Sequence, residues 1–79
     1  AYLSHRLMRE TQIAKFLNEG ADTIPELVRR MYKHLPEKMH GAAARSVQAH
    51  MEHMVGTNRA ICDGPVTASS IFAPGPASA

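Results

Sequence analysis

Two histidines three residues apart are the nearest approach to a metal-binding pattern in this sequence. His50 and His53 share one face of a helix, and such pairs bind zinc when two further ligands lie close by. The neighbouring candidates, His40 and Glu52, do not complete a convincing set. Cys62 is the single cysteine, so neither a disulfide within the chain nor a cysteine-based zinc site can form. The residues therefore predict no metal site, with His50 half-buried and hydrogen-bonded and His53 exposed to solvent.

Basic side chains form the second group that could carry chemistry, because lysine and arginine contacts to phosphate supply much of nucleic-acid affinity. Between residues 41 and 57, however, one arginine is balanced by one glutamate. The sequence predicts at most a weak contact with nucleic acid or with a substrate groove, and a solvated helix face is the simpler interpretation. The residues of this predicted contact are Arg29, Arg30, Lys33, Arg45 and Gln48.

Length and composition restrict the function further. The chain has 79 residues, of which 44% are hydrophobic and 20% charged, and its net charge is +2. One small domain with a thin core fits these values, whereas a self-contained enzyme with a deep pocket does not. We find no apolar run long enough for a membrane span and no secretory signal, so we expect no membrane contact and a cytoplasmic location. We interpret the chain as part of a longer polypeptide.

Three helices must position these residues, at about 4–19, 24–34 and 41–55. Each has an apolar stripe with a spacing of three to four residues. The second has the clearest start, since Thr23 and Glu26 have the spacing of a capping box. The stripes are Leu3, Leu7, Ile13, Ala14 and Leu17 in the first helix, Ile24, Leu27, Val28, Met31 and Leu35 in the second, and Ala43 or Ala44, Val47, Met51, Met54 and Val55 in the third.

A β-hairpin is predicted after the third helix, at about 59–73. Asp63 and Gly64 have the composition of a two-residue type I′ turn, with strands at 59–62 and 66–72 on either side. A two-stranded ribbon is marginal alone, and it becomes stable when it packs beside the third helix. The predicted fold is therefore mainly α with a small β-hairpin, a three-helix winged helix-turn-helix over residues 1–73, followed by a flexible tail at 74–79.

Glu10 is the one charged residue within the apolar stripe of the first helix. Arg6 lies one turn earlier, at the i,i+4 spacing that favours an ion pair. One interpretation is that this pair lies at the edge of the stripe. The other is that the first half of the helix docks on another part of the polypeptide, where both charges find partners.

Several short blocks recur in the order and spacing of a known family. They are Tyr2-Leu3-Ser4-His5-Arg6, Arg9-Glu10, Gln12-Ile13, Thr23-Ile24-Pro25-Glu26-Leu27-Val28, Met31-Tyr32, Pro36, Ala44-Arg45-Ser46-Val47 and Ala49-His50-Met51. Together they resemble the linker helix and the C-terminal β-lactamase-associated winged helix of metallo-β-lactamase-fold hydrolases. The resemblance covers about residues 2–55. After Val55 it weakens, because only Arg59 keeps the basic character of the family's Glu-Gly-Arg or Glu-Gly-Lys continuation.

The resemblance implies a zinc-dependent hydrolase whose ligands form a His-x-His-x-Asp-His motif in a preceding domain. That motif does not occur in this sequence, so no catalytic residue and no cofactor site are assigned here. The implied partner is the chain's own catalytic domain, whose substrate cleft the winged helix would help to shape. The substrate stays open between an acyl thioester, another small ester and a phosphodiester. The predicted interdomain contact residues are Tyr2, His5, Arg6, Arg9 and Glu10. The alternative function is a stand-alone winged-helix regulator that binds DNA.

Overall fold

The chain folds into three helices followed by a short β-ribbon. A computed structural model describes residues 2–76, with side chains from residue 4 onwards. The elements are α1 (Tyr2–Asn18), α2 (Ile24–Met31), α3 (His40–Gly56), β1 (Ala60–Cys62) and β2 (Phe72–Pro74), with a 3₁₀ turn at Glu37–Met39 before α3. This order confirms the predicted three-helix winged-helix architecture. Among residues 2–76, none of the helices combines the length and the apolar character that a bilayer crossing needs.

The start of α2 follows the prediction only in part. The Thr23 Oγ1 accepts a hydrogen bond from the Glu26 backbone N–H at 3.3 Å, so Thr23 is the N-cap. The Glu26 side chain bonds to Arg29 and Arg30, one turn along the helix. α2 ends at Met31 rather than at the predicted residue 34, because the backbone leaves the helical region at the next residue, with φ at −129°.

The three helices bury one apolar core beneath the ribbon. The predicted stripes of α2 and α3 face this core, which confirms the helical periodicity, except for Leu35, which lies beyond the end of α2 and outside the core cluster. Its buried members are Ile13, Leu17, Ala21, Ile24, Leu27, Val28, Val47, Met51, Met54, Ala60 and Phe72. Three contacting helices with a ribbon against them bury more apolar surface than any pair would, which is how so short a chain holds its fold.

The stripe of α1 is only half buried. Ile13 and Leu17 lie in the core, but Leu7 is 51% exposed, and the neighbouring Met8, which lies off the stripe, is 53% exposed. The helix ends where predicted to within a residue. Gly20 follows it with φ at 105°, a conformation that side chains disfavour. The first half of α1 therefore presents apolar surface that this domain does not cover.

The ribbon differs from the predicted hairpin. β1 and β2 pair antiparallel with Ala60 opposite Pro74 and Cys62 opposite Phe72, so the second strand lies at 72–74 rather than 66–72. The predicted type I′ turn is wrong: it needs positive φ at Asp63, and Asn58 is the one non-glycine residue with positive φ in the described part of the chain. A nine-residue connection, 63–71, replaces it.

The predicted flexible tail at 74–79 is wrong at its first residues. Pro74 belongs to β2, and the buried Gly75 donates its backbone N–H to the Arg59 carbonyl at 3.0 Å. The end of the predicted tail, 77–79, lies outside the described residues. A further pairing was not predicted: Thr23 forms a β-bridge with Ile71, and the Phe72 N–H donates to the Asp22 carbonyl at 2.7 Å. The ribbon is thus attached to the α1–α2 connection as well as to α3.

Candidate interdomain groove

Glu10 lies inside the domain rather than at the edge of the α1 stripe. Its exposed fraction is 0%, and it is the one buried charged residue among those described. Burying a carboxylate is costly unless it is paired and hydrogen-bonded. Of the two interpretations of the sequence, the one that placed Glu10 at the edge of the stripe is therefore wrong, and the partners of Glu10 decide what this residue does.

Three side chains from distant parts of the chain bond to Glu10. The Nδ1 of His50 lies 3.0 Å from Oε2, and the Nδ1 of His53 lies 2.9 Å from Oε1. The Arg59 guanidinium donates to Oε1 as well. An ionised carboxylate has no proton to give, so Nδ1 is the protonated donor in both rings. These partners satisfy both oxygens of Glu10 within this chain.

The electrostatics of this cluster keep Glu10 ionised. Burial favours the neutral acid and raises the pKa of the carboxyl, but the hydrogen bonds from His53, His50 and Arg59, with the Arg59 charge, outweigh it. The net effect places the pKa of Glu10 below its usual value. Glu10 is therefore a buried anion paired with the partly exposed Arg59 guanidinium, and it joins α1 to the end of α3 and to the residue before β1.

The two histidines have unequal exposure. The His50 side chain is 17% exposed and hydrogen-bonded, as the sequence predicted. The His53 side chain is 42% exposed, but it is bonded to Glu10 rather than simply solvated. Sequence reasoning missed this cluster because the partners lie 40 to 49 positions from Glu10. The available signal was the charged residue in an apolar stripe, which calls for a partner inside the fold.

A groove of about 440 Å³ opens above this cluster, between α1 and α3. It brings together four of the five residues predicted for the interdomain contact; the Tyr2 side chain lies outside the described part of the chain. Glu10 enters this groove only as its buried base, while the other three lie nearer the surface. The lining consists of His5, Arg6, Arg9, Glu10, Tyr32, Ser46, Ala49, His50 and His53.

Arg9 is one of the two arginines that line the groove. Its guanidinium lies over the Tyr32 ring, 5.2 Å from the centroid, and its Nη1 is 3.4 Å from Gln12 Oε1. A cation over an aromatic face is attracted by the ring quadrupole, which favours one orientation of the side chain. Arg9 is therefore held at the wall of the groove instead of extending freely into solvent.

The predicted basic contact set on α2 and α3 is divided between different environments. Arg29 and Arg30 both bond to Glu26, and Arg30 also lies 3.9 Å from Glu19. Arg45 and Lys33 are exposed, and Gln48 is half-buried. Glu26 thus offsets part of the positive charge of α2. A nucleic-acid or substrate contact through this set stays a prediction.

The described residues contain side-chain types that bind metal ions. No group of three or more histidine, cysteine, aspartate or glutamate side chains within them is placed to hold a metal ion. His50 and His53 instead direct Nδ1 to the same carboxylate. The pair thus has a structural partner within the domain.

The order of helices, the ribbon beside α3 and the cluster that ties them define a winged-helix domain. Comparison with known families assigns this domain to a particular family. The family described as "Beta-lactamase associated winged helix domain" matches residues 23–64, more than half of the 79 residues. The chain belongs to this family. The match extends past Val55, where the resemblance in the sequence weakened, and it begins after α1.

Proposed function

We propose that this chain is the non-catalytic winged-helix domain of a zinc-dependent hydrolase with a metallo-β-lactamase fold. It packs on the catalytic domain of the same polypeptide and helps to form the substrate cleft. Membership of a family associated with β-lactamase-fold proteins supports the choice of partner. The zinc and the reacting groups belong to that partner domain, and this chain supplies a rigid surface beside them.

The exposed first half of α1 is the observation that carries this proposal. Leu7 and Met8 are 51% and 53% exposed, although Ile13 and Leu17 of the same helix are buried. Large apolar side chains that stay exposed beside polar ones are typical of surfaces that contact another domain. Because α1 precedes the family-matched segment, it is also the element that would connect this domain to a preceding one.

The experiment uses the complete polypeptide that carries this domain. We expect purified protein to contain zinc and to hydrolyse at least one thioester, ester or phosphodiester substrate. Leu7→Asp combined with Met8→Asp is expected to separate the domains, so that one cooperative thermal transition becomes two and KM rises. The matched control is Met39→Asp, which alters an exposed methionine (47%) in the connection before α3.

Each result bears on the proposal. A polypeptide without zinc and without hydrolase activity contradicts the enzyme class. A Leu7/Met8 variant that behaves like the Met39 control contradicts the docking surface, because two buried charges in an interdomain contact would weaken it strongly.

The DNA-binding regulator is the competing function, because the winged-helix fold also serves proteins that place a helix in the major groove. It predicts binding to duplex DNA that weakens steeply as salt rises, and weaker binding for Arg45→Ala. The near-neutral exposed side of α3, where Arg45 is accompanied by Glu52, favours the hydrolase domain instead. Fluorescence anisotropy with labelled duplex DNA at low salt distinguishes the two, since the hydrolase proposal predicts no specific binding.

A further inference from the structure

The groove between α1 and α3 is lined by two arginines, three histidines and one carboxylate. Its one carboxylate, Glu10, already accepts bonds from three side chains of this chain. Arg9 has five N–H donors on its guanidinium, and one of them is directed to Gln12. Arg6 adds a second positive charge to the lining. The ligand that complements such a groove is an acceptor-rich anion.

The dimensions of the groove limit the length of the segment that can bring this anion into it. On the α3 side the lining extends from Ser46 to His53, which is roughly 10 Å along a helix axis at 1.5 Å per residue. An extended chain advances about 3.3 Å per residue, so the groove holds about three residues. A short loop fits this length.

The surface around the groove indicates that its binding partner is a protein rather than a nucleic acid. Leu7 and Met8 expose apolar surface in the same half of α1, although neither residue lines the groove. Protein–DNA interfaces are much more positively charged and more polar than such a surface. Mixed apolar and charged surface is what domains of one chain use to contact each other.

We infer that this groove binds a short acidic loop of the β-lactamase-fold domain, with an aspartate or glutamate carboxylate on the Arg9 guanidinium. The inference rests on the proposed function and adds the chemistry of the contact. Arg9 is the specific residue because the Tyr32 ring fixes its guanidinium at the groove wall, where a planar cation can bond a carboxylate through two N–H groups.

The test is hydrogen–deuterium exchange of the complete polypeptide in three forms: wild type, Arg9→Glu and Lys15→Glu. Lys15 is the matched control because it lies on α1, is exposed, undergoes the same charge reversal and does not line the groove. We expect Arg9→Glu to increase exchange of residues 4–10 and 46–53 roughly tenfold, since it replaces attraction by repulsion across a desolvated contact. Lys15→Glu should match the wild type.

A second measurement guards against simple misfolding, because Arg9 also contacts Tyr32. Exchange of the core residues of α2, Leu27 and Val28, should stay slow in Arg9→Glu. Arg9→Lys should keep partial protection, and reversing one acidic residue of the partner domain to lysine should restore protection to Arg9→Glu.

The outcomes separate this inference from the proposed function. If residues 4–10 are protected in the wild type and Arg9→Glu behaves like Lys15→Glu, the acidic loop is contradicted while the docking of α1 stands. If those residues exchange freely in the wild type, both are contradicted. If they become protected only when a single-stranded RNA is added, the groove serves nucleic acid and the inference is overturned.

Discussion

Two glutamates of this domain each bind two or more cationic or histidine side chains, yet they lie in opposite surroundings. Glu10 is fully buried, and its partners come from α3 and from the residue before β1. Glu26 is partly exposed, and its partners Arg29 and Arg30 lie one turn away on α2. A buried pair becomes costly when one partner is lost, whereas an exposed pair is screened by water and contributes little. Similar ion pairs can therefore contribute very differently to the stability of the domain, depending on their burial.

The largest expected effect comes from Glu10→Ala. The substitution leaves Arg59 and two histidines without their shared acceptor, and removing one partner of a buried pair costs about 3–5 kcal/mol. A domain of this length is stabilised by only about 4–12 kcal/mol, so the variant should be close to unfolding at room temperature. Urea unfolding followed by circular dichroism measures the change. A loss no greater than that of an exposed substitution would show that the cluster is not a structural element.

The dependence of stability on acid pH should also reveal the importance of Glu10, because it reports the ionisation of its carboxyl group. The pKa of Glu10 is lowered in the folded domain from its ordinary 4.5, although burial alone would raise it. The ionised carboxylate therefore stabilises the folded state above pH 4.5, and this stabilisation is lost as the pH falls through the lower folded-state pKa.

Glu10→Gln should consequently flatten the dependence of the unfolding free energy on pH below pH 4.5. The effect should be smaller than that of Glu10→Ala, because the amide oxygen still accepts hydrogen bonds. Stability measured by urea unfolding at each pH provides the check, and an unchanged acid limb in Glu10→Gln would assign the acid sensitivity to other groups.

An intermediate effect is expected at Gly75, which secures the backbone beside Arg59. A Cβ at this position would lie 2.8 Å from the backbone atoms Arg59 C and Ala60 N and would also meet Asn58 O. Backbone cannot rotate away as a side chain can, so Gly75→Ala should lower stability by about 1–3 kcal/mol. Because Arg59 would shift with it, the Glu10 cluster should loosen while the Glu26 pairs stay intact.

Gly56→Ala is the control for this substitution. Nothing lies within 4 Å of a Cβ at Gly56. Gly56 is the last residue of α3, and alanine has a higher helix propensity than glycine. Thermal unfolding should therefore show an equal or higher Tm for Gly56→Ala and a lower one for Gly75→Ala. Equal Tm values for the two variants would mean that the backbone of the ribbon accommodates the added Cβ without losing stability.

The smallest effect should come from Glu26→Gln. The pKa of Glu26 is lowered by hydrogen bonds from Arg30 and Arg29, but the group lies at the surface, where water replaces those bonds. We expect a stability change within the error of the unfolding measurement, and no change in the exchange of residues 4–10. A loss approaching that of Glu10→Ala would remove the distinction between the two glutamates.

The parts of the fold that were predictable depend on neighbouring residues. The Thr23 cap and the stripes of α2 and α3 are local patterns, and they appear as expected. The ribbon was misjudged because turn composition at Asp63 and Gly64 competed with a pairing that joins Phe72 to the distant Asp22 carbonyl. Long-range pairing of this kind leaves no periodic signal in the sequence.

In the candidate site, too, only part of the structure could be predicted from the sequence. The residues of α1 that line the groove were selected from the sequence by resemblance, and the groove brings His5, Arg6 and Arg9 together with Glu10. What could not be predicted is that Glu10 would be buried and paired with His53 and Arg59. That pairing depends on where α3 ends and where β1 begins, which only the packed core determines.

A structure of the complete polypeptide, with this domain joined to a β-lactamase-fold domain, tests the central claim most directly. We predict that Leu7 and Met8 lose most of their exposed surface to the other domain, and that a carboxylate of its loop lies within about 4 Å of the Arg9 guanidinium. A structure in which the first half of α1 faces solvent and the groove holds no group from the other domain would contradict the account.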